Sequence, residues 1–309
     1  SSVPLKLSRR RLGALLAAAA ATAALAWYLW TGRGLAPAEM LAHLPSADSP
    51  LLFIDVGALR QAGILDLIAG SKAAEESEYT AFVARSGFDY RRDLDAVMAS
   101  FQGGQTFLIA RGRFDWRRLE AYAREQGGSC ERSFCRLPAA TPGRRLSFFA
   151  LRRDTLAFAS SPNEWAAEQM RGASKAGPRF ALPSDPAWLA IPGATLRMSD
   201  AYPAGTRLFA KALENAERVI LAAGRDGGRM RLRMDATTRS EEDAVILRAQ
   251  LEKVTEVMTK FIARLDQKPN PSDLSGVLTG GTFRREGLRV VGTWPVPREF
   301  LEALSKGDS

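Results

Sequence analysis

Histidine occurs once in the 309-residue chain, at His43, and cysteine twice, at Cys130 and Cys135. A single histidine removes Ser-His-Asp and Cys-His catalysis unless His43 is itself the base. It also removes most zinc, copper and haem ligation. His43 stands in a lead-in before the first apolar run, where a solvated or linker histidine is the plainer expectation. No catalytic set, metal site or cofactor is therefore expected. The cysteines stand in "CERSFC". A reversal between them brings their Cα atoms into bonding range, and outside the cytoplasm such a pair is oxidised. A redox pair would take the C-x-x-C form at a helix start. A structural Cys130–Cys135 bridge is expected, with two free buried thiols as the alternative if the reversal is absent.

Asp89, Asp93 and Asp95 cluster in "FDYRRDLD". A calcium loop needs a longer ligand set with a late Glu, so a capped loop with solvated carboxylates fits better. A carboxylate-dependent hydrolase stays open, because such pairs are distant in sequence, but nothing selects a pair. "QGGQ" and "GRDGG" read as hairpin turns rather than phosphate loops. In "RMRLRM", Arg229, Arg231 and Arg233 share one strand face. They could meet anionic headgroups or an acidic partner. Charges of one sign on an exposed strand face also discourage edge pairing.

The net charge of +9 is unevenly spread. Residues 1–34 hold five basic and no acidic side chains, whereas residues 35–309 hold 38 basic and 34 acidic ones. In the body the signs are interleaved, as in "DWRRLE", so no nucleic-acid partner is expected.

The elements that must position these residues begin with an apolar stretch. Arg9, Arg10 and Arg11 precede nineteen uncharged residues, Leu12 to Trp30, which as a helix would span about 28 Å. Trp27, Tyr28 and Trp30 fall at its far end, the headgroup level. Basic residues before it predict an inside amino terminus and an extracytoplasmic body. Ala24-Leu25-Ala26 also fits a signal-peptidase site, so a cleaved leader is the rival. "WYLW" is an odd start for a mature soluble protein, which favours the anchor. Gly13, Ala17, Ala21 and Ala24 form a small-residue face suited to packing against another membrane helix. Biased composition would give the same face.

The expected organisation is a basic tail at 1–11, a transmembrane helix at 12–30 and a proline-bearing linker at 31–50. An α+β domain at 51–172 follows, then a second at 187–305. "LLFIDV" reads as a strand and "DAVMASFQGGQTFLIARG" as a hairpin. "FDWRRLEAYAREQGG" reads as a helix capped by Asp115. "SSPNEWAAEQMRG" carries a capping-box start. "RMRLRMD" alternates buried and wet positions after a turn at Asp226–Gly228. "SEEDAVILRAQLEKVTEVMTKFIARL" is the strongest helix, its stripe running Ala244, Leu247, Leu251, Val254, Met258, Phe261, Leu265. Hairpin then helix recurs, so the fold class is α+β with two related layers of antiparallel sheet, helices packed on one face.

"HLPSADSPLLFIDVGALR" followed by "SGFDYRRDLDAV" resembles the opening of uncharacterised exported or membrane-anchored bacterial proteins, over residues 41–160. The resemblance implies an envelope location and a sheet-based α+β fold, and it brings no activity. The expected protein is thus a single-pass protein of the bacterial cytoplasmic membrane with its body in the periplasm or extracytoplasmic space. It would serve as a non-enzymatic accessory subunit, touching lipid and another membrane protein. The alternative is a tethered module binding a ligand or envelope polymer.

Overall fold

The computed structural model describes residues 34–45, 48–68, 77–174, 178–197, 207–227, 229–264 and 268–306. The expected transmembrane helix lies outside them, with Arg9, Arg10, Arg11, Gly13, Ala17, Ala21, Ala24, Trp27, Tyr28 and Trp30. Among the described residues no helix is long and apolar enough to cross a membrane.

Residues 37–309 form one unit built on a mixed α+β plan with a single large sheet. Strand β1 (Leu51–Asp55) runs into helix α2 (Val56–Gln61) without a loop, because the Asp55 carboxylate accepts the Ala58 N–H at 2.8 Å and caps the helix. Helix α1 (Pro37–Ala42) precedes it, and α3 (Leu65–Ile68), α4 (Ser77–Ser86) and α5 (Tyr90–Asp93) follow. Strands β2 (Leu94–Gln102) and β3 (Gln105–Gly112) form a hairpin. It turns at Gly103 and Gly104 with φ of 55° and 75°, the left-handed pair that a two-residue turn requires. Helix α6 (Trp116–Glu125) leads to β4 (Ser129–Glu131), β5 (Phe134–Pro138), β6 (Arg145–Arg152) and β7 (Thr155–Ser161).

The second half holds β8 (Ala187–Pro192), α7 (Gly193–Leu196), α8 (Arg207–Ala212), β9 (Arg218–Asp226) and β10 (Arg229–Thr237). The long α9 (Glu241–Arg264), α10 (Leu274–Leu278), β11 (Thr282–Glu286), β12 (Arg289–Val296) and α11 (Arg298–Lys306) complete it.

The twelve strands pair in the order β11-β12-β10-β9-β8-β1-β2-β3-β7-β6-β5-β4, every described pair antiparallel. This corrects the expectation of two layers. Strand β1 pairs with β8, Leu51 opposite Ala190 and Phe53 opposite Trp188, so the halves join edge to edge. Neither Leu51–Ile54 nor Ala187–Ile191 carries a charge. Left unpaired, each would be a bare apolar edge, and pairing removes both.

The halves nonetheless repeat. Outward from the seam, β1-β2-β3-β7-β6 matches β8-β9-β10-β12-β11. Each side is a strand entering a helix directly, a hairpin, a helix and a second hairpin. Ile54, Leu59 and Arg60 recur at the same spacing as Ile191, Leu196 and Arg197. The first half adds β4 and β5 at its edge.

Helices cover one face of the sheet on both sides. Ala244, Leu247 and Leu251 of α9 pack over Val219, Met234, Val290 and Trp294. Leu119 and Ala123 of α6 pack over Leu137 and Phe148. The other face differs from the expectation of helices on one side. In the first half it is covered by a 3-10 turn, Ala166–Met170, whose Ala167 N–H donates to Ser147 Oγ at 3.2 Å. In the second half β10 turns Arg231, Arg233 and Asp235 to it, so that strand alternates as expected, while Trp188 of β8 is buried there against Phe180.

Candidate functional site

The helix-bearing face of the first half offers more apolar side chains than its helices cover. Cross-strand pairing aligns Ala110 with Leu156, Leu108 with Phe158, and Phe158 with Phe148. These side chains stand on one face, because β-strand side chains alternate. Helix α6 has ten residues, about 15 Å, which spans roughly three strands at the usual strand spacing. It sits over β4 and β5, reaches Phe148 of β6, and leaves β2, β3 and β7 only partly roofed.

The uncovered region is a cavity of about 450 Å³. Its floor is Leu94, Val97, Leu108, Ala110, Leu156 and Phe158, and its walls include Phe82, Phe88, Phe114 and Tyr122. No charged residue lines it, and Tyr122 supplies the one polar side-chain atom. The rim is a run of rings. Phe88 stacks on Phe114 at 5.1 Å and 12°, Phe114 meets Trp116 at 5.2 Å, and Phe82 meets Tyr122 edge-on at 5.1 Å. A water inside would find almost no polar partner, so the space suits an apolar body. Its volume falls within the range of small-molecule sites, about 300–1,000 Å³.

The three clustered aspartates brace this rim. The Asp89 carboxylate caps α5 by accepting the Arg91 N–H at 3.0 Å, and Tyr79 donates its hydroxyl to Asp89 at 2.9 Å. Burial, and then the bond to Asp89, push the Tyr79 hydroxyl up to about 12. Asp93 accepts from the Asp89 N–H at 3.0 Å, from Arg92 at 2.9 Å and from Arg113 at 3.1 Å. The Arg92 hydrogen bond holds its carboxyl below the ordinary aspartate range. Asp95 lies 3.8 Å from Arg60. The backbone is tight here too, since a Cβ on Gly112 would come within 2.3 Å of the Asp93 carbonyl oxygen. These carboxylates hold the strand entrance below Phe88 and Phe114 and do not converge on a common space. Among the described residues no group of three His, Cys, Asp or Glu could hold a metal ion.

Cys130 and Cys135 are bonded to one another, directly opposite in the β4–β5 hairpin. Between them Arg132 and Ser133 take φ of 48° and 64°, the left-handed region. Arginine and serine lack the freedom of the Asn-Gly pair preferred there, a cost of about 1–3 kcal/mol per residue. Closing so short a loop offsets part of it, by about 2 kcal/mol on chain-entropy grounds. Cys135 is fully buried beside Leu137 and Phe148, so the bridge anchors the far wall of the cavity.

The other singled-out residues lie elsewhere. Arg231 pairs with Asp226 at 2.9 Å, and Arg233 pairs with Asp235 at 3.5 Å, on the polar face of the second half. Arg229 instead borders a cleft with Arg225 and Arg298. The His43 Nδ1–H donates to the Met170 carbonyl at 2.9 Å and ties the lead-in to the 3-10 turn. The wall aromatics Phe82, Phe88, Phe114 and Tyr122 were not anticipated. The available signal was an apolar surplus: β3, β6 and β7 are richer in large apolar residues than one ten-residue helix can cover.

No family model matches the chain, and no curated protein matches it. Three solved structures of TP0453 are similar in outline. Crystal form IV is 11% identical, covers 91% of this chain and 100% of its own, and has a TM-score of 0.48. Form I is 11% identical with coverages of 89% and 100% and a TM-score of 0.47. Form III is 10% identical with coverages of 88% and 99% and a TM-score of 0.48. No residue role carries over at that level.

Proposed function

We propose that this protein is a membrane-tethered, extracytoplasmic binding module, without enzymatic activity, whose ligand is an apolar chain. The observation that carries the ligand is the 450 Å³ cavity with its nearly unbroken apolar lining. The tether rests on Leu12–Trp30 with its basic lead and aromatic end. The cavity walls present surface and no reacting group, which suits binding rather than turnover.

The test is a fluorescence titration with a neutral, environment-sensitive apolar dye, competed by a long-chain alcohol. Ala110 is buried in the cavity floor, so Ala110→Phe places a ring in the space. Dye affinity is expected to fall at least tenfold, the worth of about 1.4 kcal/mol, with the melting temperature unchanged or raised. A second filler, Leu156→Phe, guards against a folding defect in the first. Dye binding that survives both variants, or that never saturates, would refute the cavity as a ligand site.

A second reading keeps the protein as an accessory subunit of a membrane complex. It is favoured by α9, where Ile246 is 55% and Phe261 is 62% exposed. It is favoured also by the small-residue face of Gly13, Ala17, Ala21 and Ala24. Purification from native membranes in mild detergent is expected to bring down a stoichiometric second protein. Recovery of lipid alone would exclude it.

A further inference from the structure

The sheet ends in two edge strands, β4 and β11. Strand β4 is three residues long, and so short an edge is a poor template for another chain. Strand β11 has five residues, and the internal repeat shows what belongs beside it. It takes the place that β6 holds in the first half. There β5 pairs antiparallel with β6, Cys135 opposite Phe148 and Leu137 opposite Leu146, beneath α6. Among the described residues no strand fills the matching position beside β11.

The outer edge of β11 is built to receive one. Glu286 and Arg289 close the two-residue turn of the β11–β12 hairpin, so they are a hydrogen-bonded pair. Antiparallel alternation then aims the N–H and C=O of Phe283 and Arg285 away from β12. Among the described residues these backbone groups have no partner. Along the edge runs a cleft of about 610 Å³, lined by Thr255, Glu256 and Thr259 of α9 and by Gly281, Thr282 and Phe283. Helix α9 therefore flanks an empty strand position, where α6 in the first half lies over β4 and β5. The Thr255 hydroxyl is buried in the cleft wall without a hydrogen-bond partner. Phe283 lies on the helix-bearing face, edge-on to Trp294 at 5.4 Å, so the neighbouring position on an added strand would meet an apolar ring.

Charged side chains ordinarily protect an edge strand. Here each is balanced within the chain: Arg284 by Glu286 at 2.7 Å, Arg285 by Glu241 at 2.9 Å, and Glu286 also by Arg289 at 3.1 Å. A row of outward N–H and C=O groups is matched by a polypeptide backbone, and not by a lipid tail or a sugar. A second copy of this chain fits poorly. Self-pairing that engages Phe283 and Arg285 of both copies sets Arg284 directly opposite its counterpart, and like charges so placed destabilise a strand pair.

We infer that the β11 edge binds an extended segment of another protein as an added antiparallel strand, in the position that β5 holds beside β6. Main-chain bonds to Phe283 and Arg285 hold it, and its alternate side chains beneath α9 are apolar, as Cys135 and Leu137 are beneath α6. This site goes beyond the apolar cavity, which lies in the other half of the sheet and needs no polypeptide.

The experiment pans linear peptides displayed on phage against the full chain in nanodiscs of zwitterionic phospholipid. Peptides that alternate apolar and polar residues are expected to be enriched, and the strongest is synthesised and titrated by fluorescence anisotropy. Arg285→Pro removes one outward N–H at a place where an edge strand tolerates proline. It is expected to weaken binding at least tenfold. Arg285→Ala removes the same side chain, keeps the N–H, and is expected to bind as the parent does. Methylating the peptide's own amides one at a time leaves the protein intact, and is expected to abolish binding at every second position. No enriched peptide, equal effects of Arg285→Pro and Arg285→Ala, or methylation effects without that alternation would overturn the inference. Self-association of the parent that Arg285→Pro abolishes would overturn it too, by making a second copy the occupant. Ala110→Phe is expected to leave peptide binding unchanged; a loss there would put the peptide in the apolar cavity and overturn the inference. The neutral dye, titrated separately, reports that cavity, so each proposal can fail alone.

Discussion

Trp188→Ala is expected to destabilise the protein by about 3–5 kcal/mol, the range for emptying a buried aromatic site, and to loosen both halves of the sheet together. Trp188 is 2% exposed and lies on the seam strand, opposite Phe53 across the β1–β8 pairing. Its ring is 5.6 Å from Phe53 and meets Phe180 edge-on at 6.0 Å. Its indole N–H has no partner among the described residues, so truncation removes packing and no hydrogen bond. The loss is therefore that of a cavity at the joint between the repeats. Denaturant unfolding gives the magnitude, and amide exchange gives the location. Protection should fall in β2–β3 and in β9–β10 alike. Protection lost on one side of the seam alone would mean that the halves unfold as separate domains.

That seam marks the limit of what local sequence says. The hairpin at Gly103-Gly104 and the cap at Asp115 are written in a few neighbouring residues, and both stand as expected. The Cys130–Cys135 bridge is legible for the same reason, since six residues and a reversal decide it. Edge pairing of β1 with β8 is not local. "LLFID" and "AWLAIP" are each consistent with a buried strand in a separate layer, and 131 residues of chain part their facing ends. The stripe of α9 was legible through Met258, but Phe261 is exposed because the helix runs on past the sheet that its first turns cover. Ser161, Pro162 and Glu164 have the pattern of a capping box. The Ser161 hydroxyl does accept the Asn163 N–H at 3.0 Å while donating to Gln105, but Glu164 pairs with Arg136 and Arg145, so tertiary partners leave the box half made. The apolar cavity was hidden for a related reason. An empty space belongs to no residue; it is the difference between how much a sheet face offers and how much its helices reach.

Removing the Asp93 carboxylate is the second large effect, and its sign with pH can be worked out. Asp93→Asn is expected to cost about 2 kcal/mol near neutral pH, the scale of a hydrogen bond to a charged group. The Asp93 side chain is 10% exposed, whereas Arg92 and Arg113 are 65% and 68% exposed. Solvent screens those ion pairs, so most of the cost comes from the charge-assisted bonds at the buried end, including the Asp89 N–H. The folded carboxyl titrates below the ordinary aspartate value, chiefly through the Arg92 bond. The unfolded chain therefore takes up this proton first. The stabilisation is fully present above the unfolded value, near pH 4, and is lost as pH falls through the folded value. Asparagine carries no such proton. The stability gap between the parent and Asp93→Asn should thus be constant from pH 8 to about pH 5 and should shrink below about pH 4. Urea midpoints at a series of pH values measure it, and a gap that stays constant to pH 3 would remove Asp93 as the charged brace. The variant also reports on the cavity. Asp93 anchors the turn that carries Phe88, and its carbonyl accepts the Arg113 N–H at 2.8 Å beside Phe114. If these contacts set the stacked rim, dye affinity should drop with stability in Asp93→Asn, while Ala110→Phe should lower affinity alone.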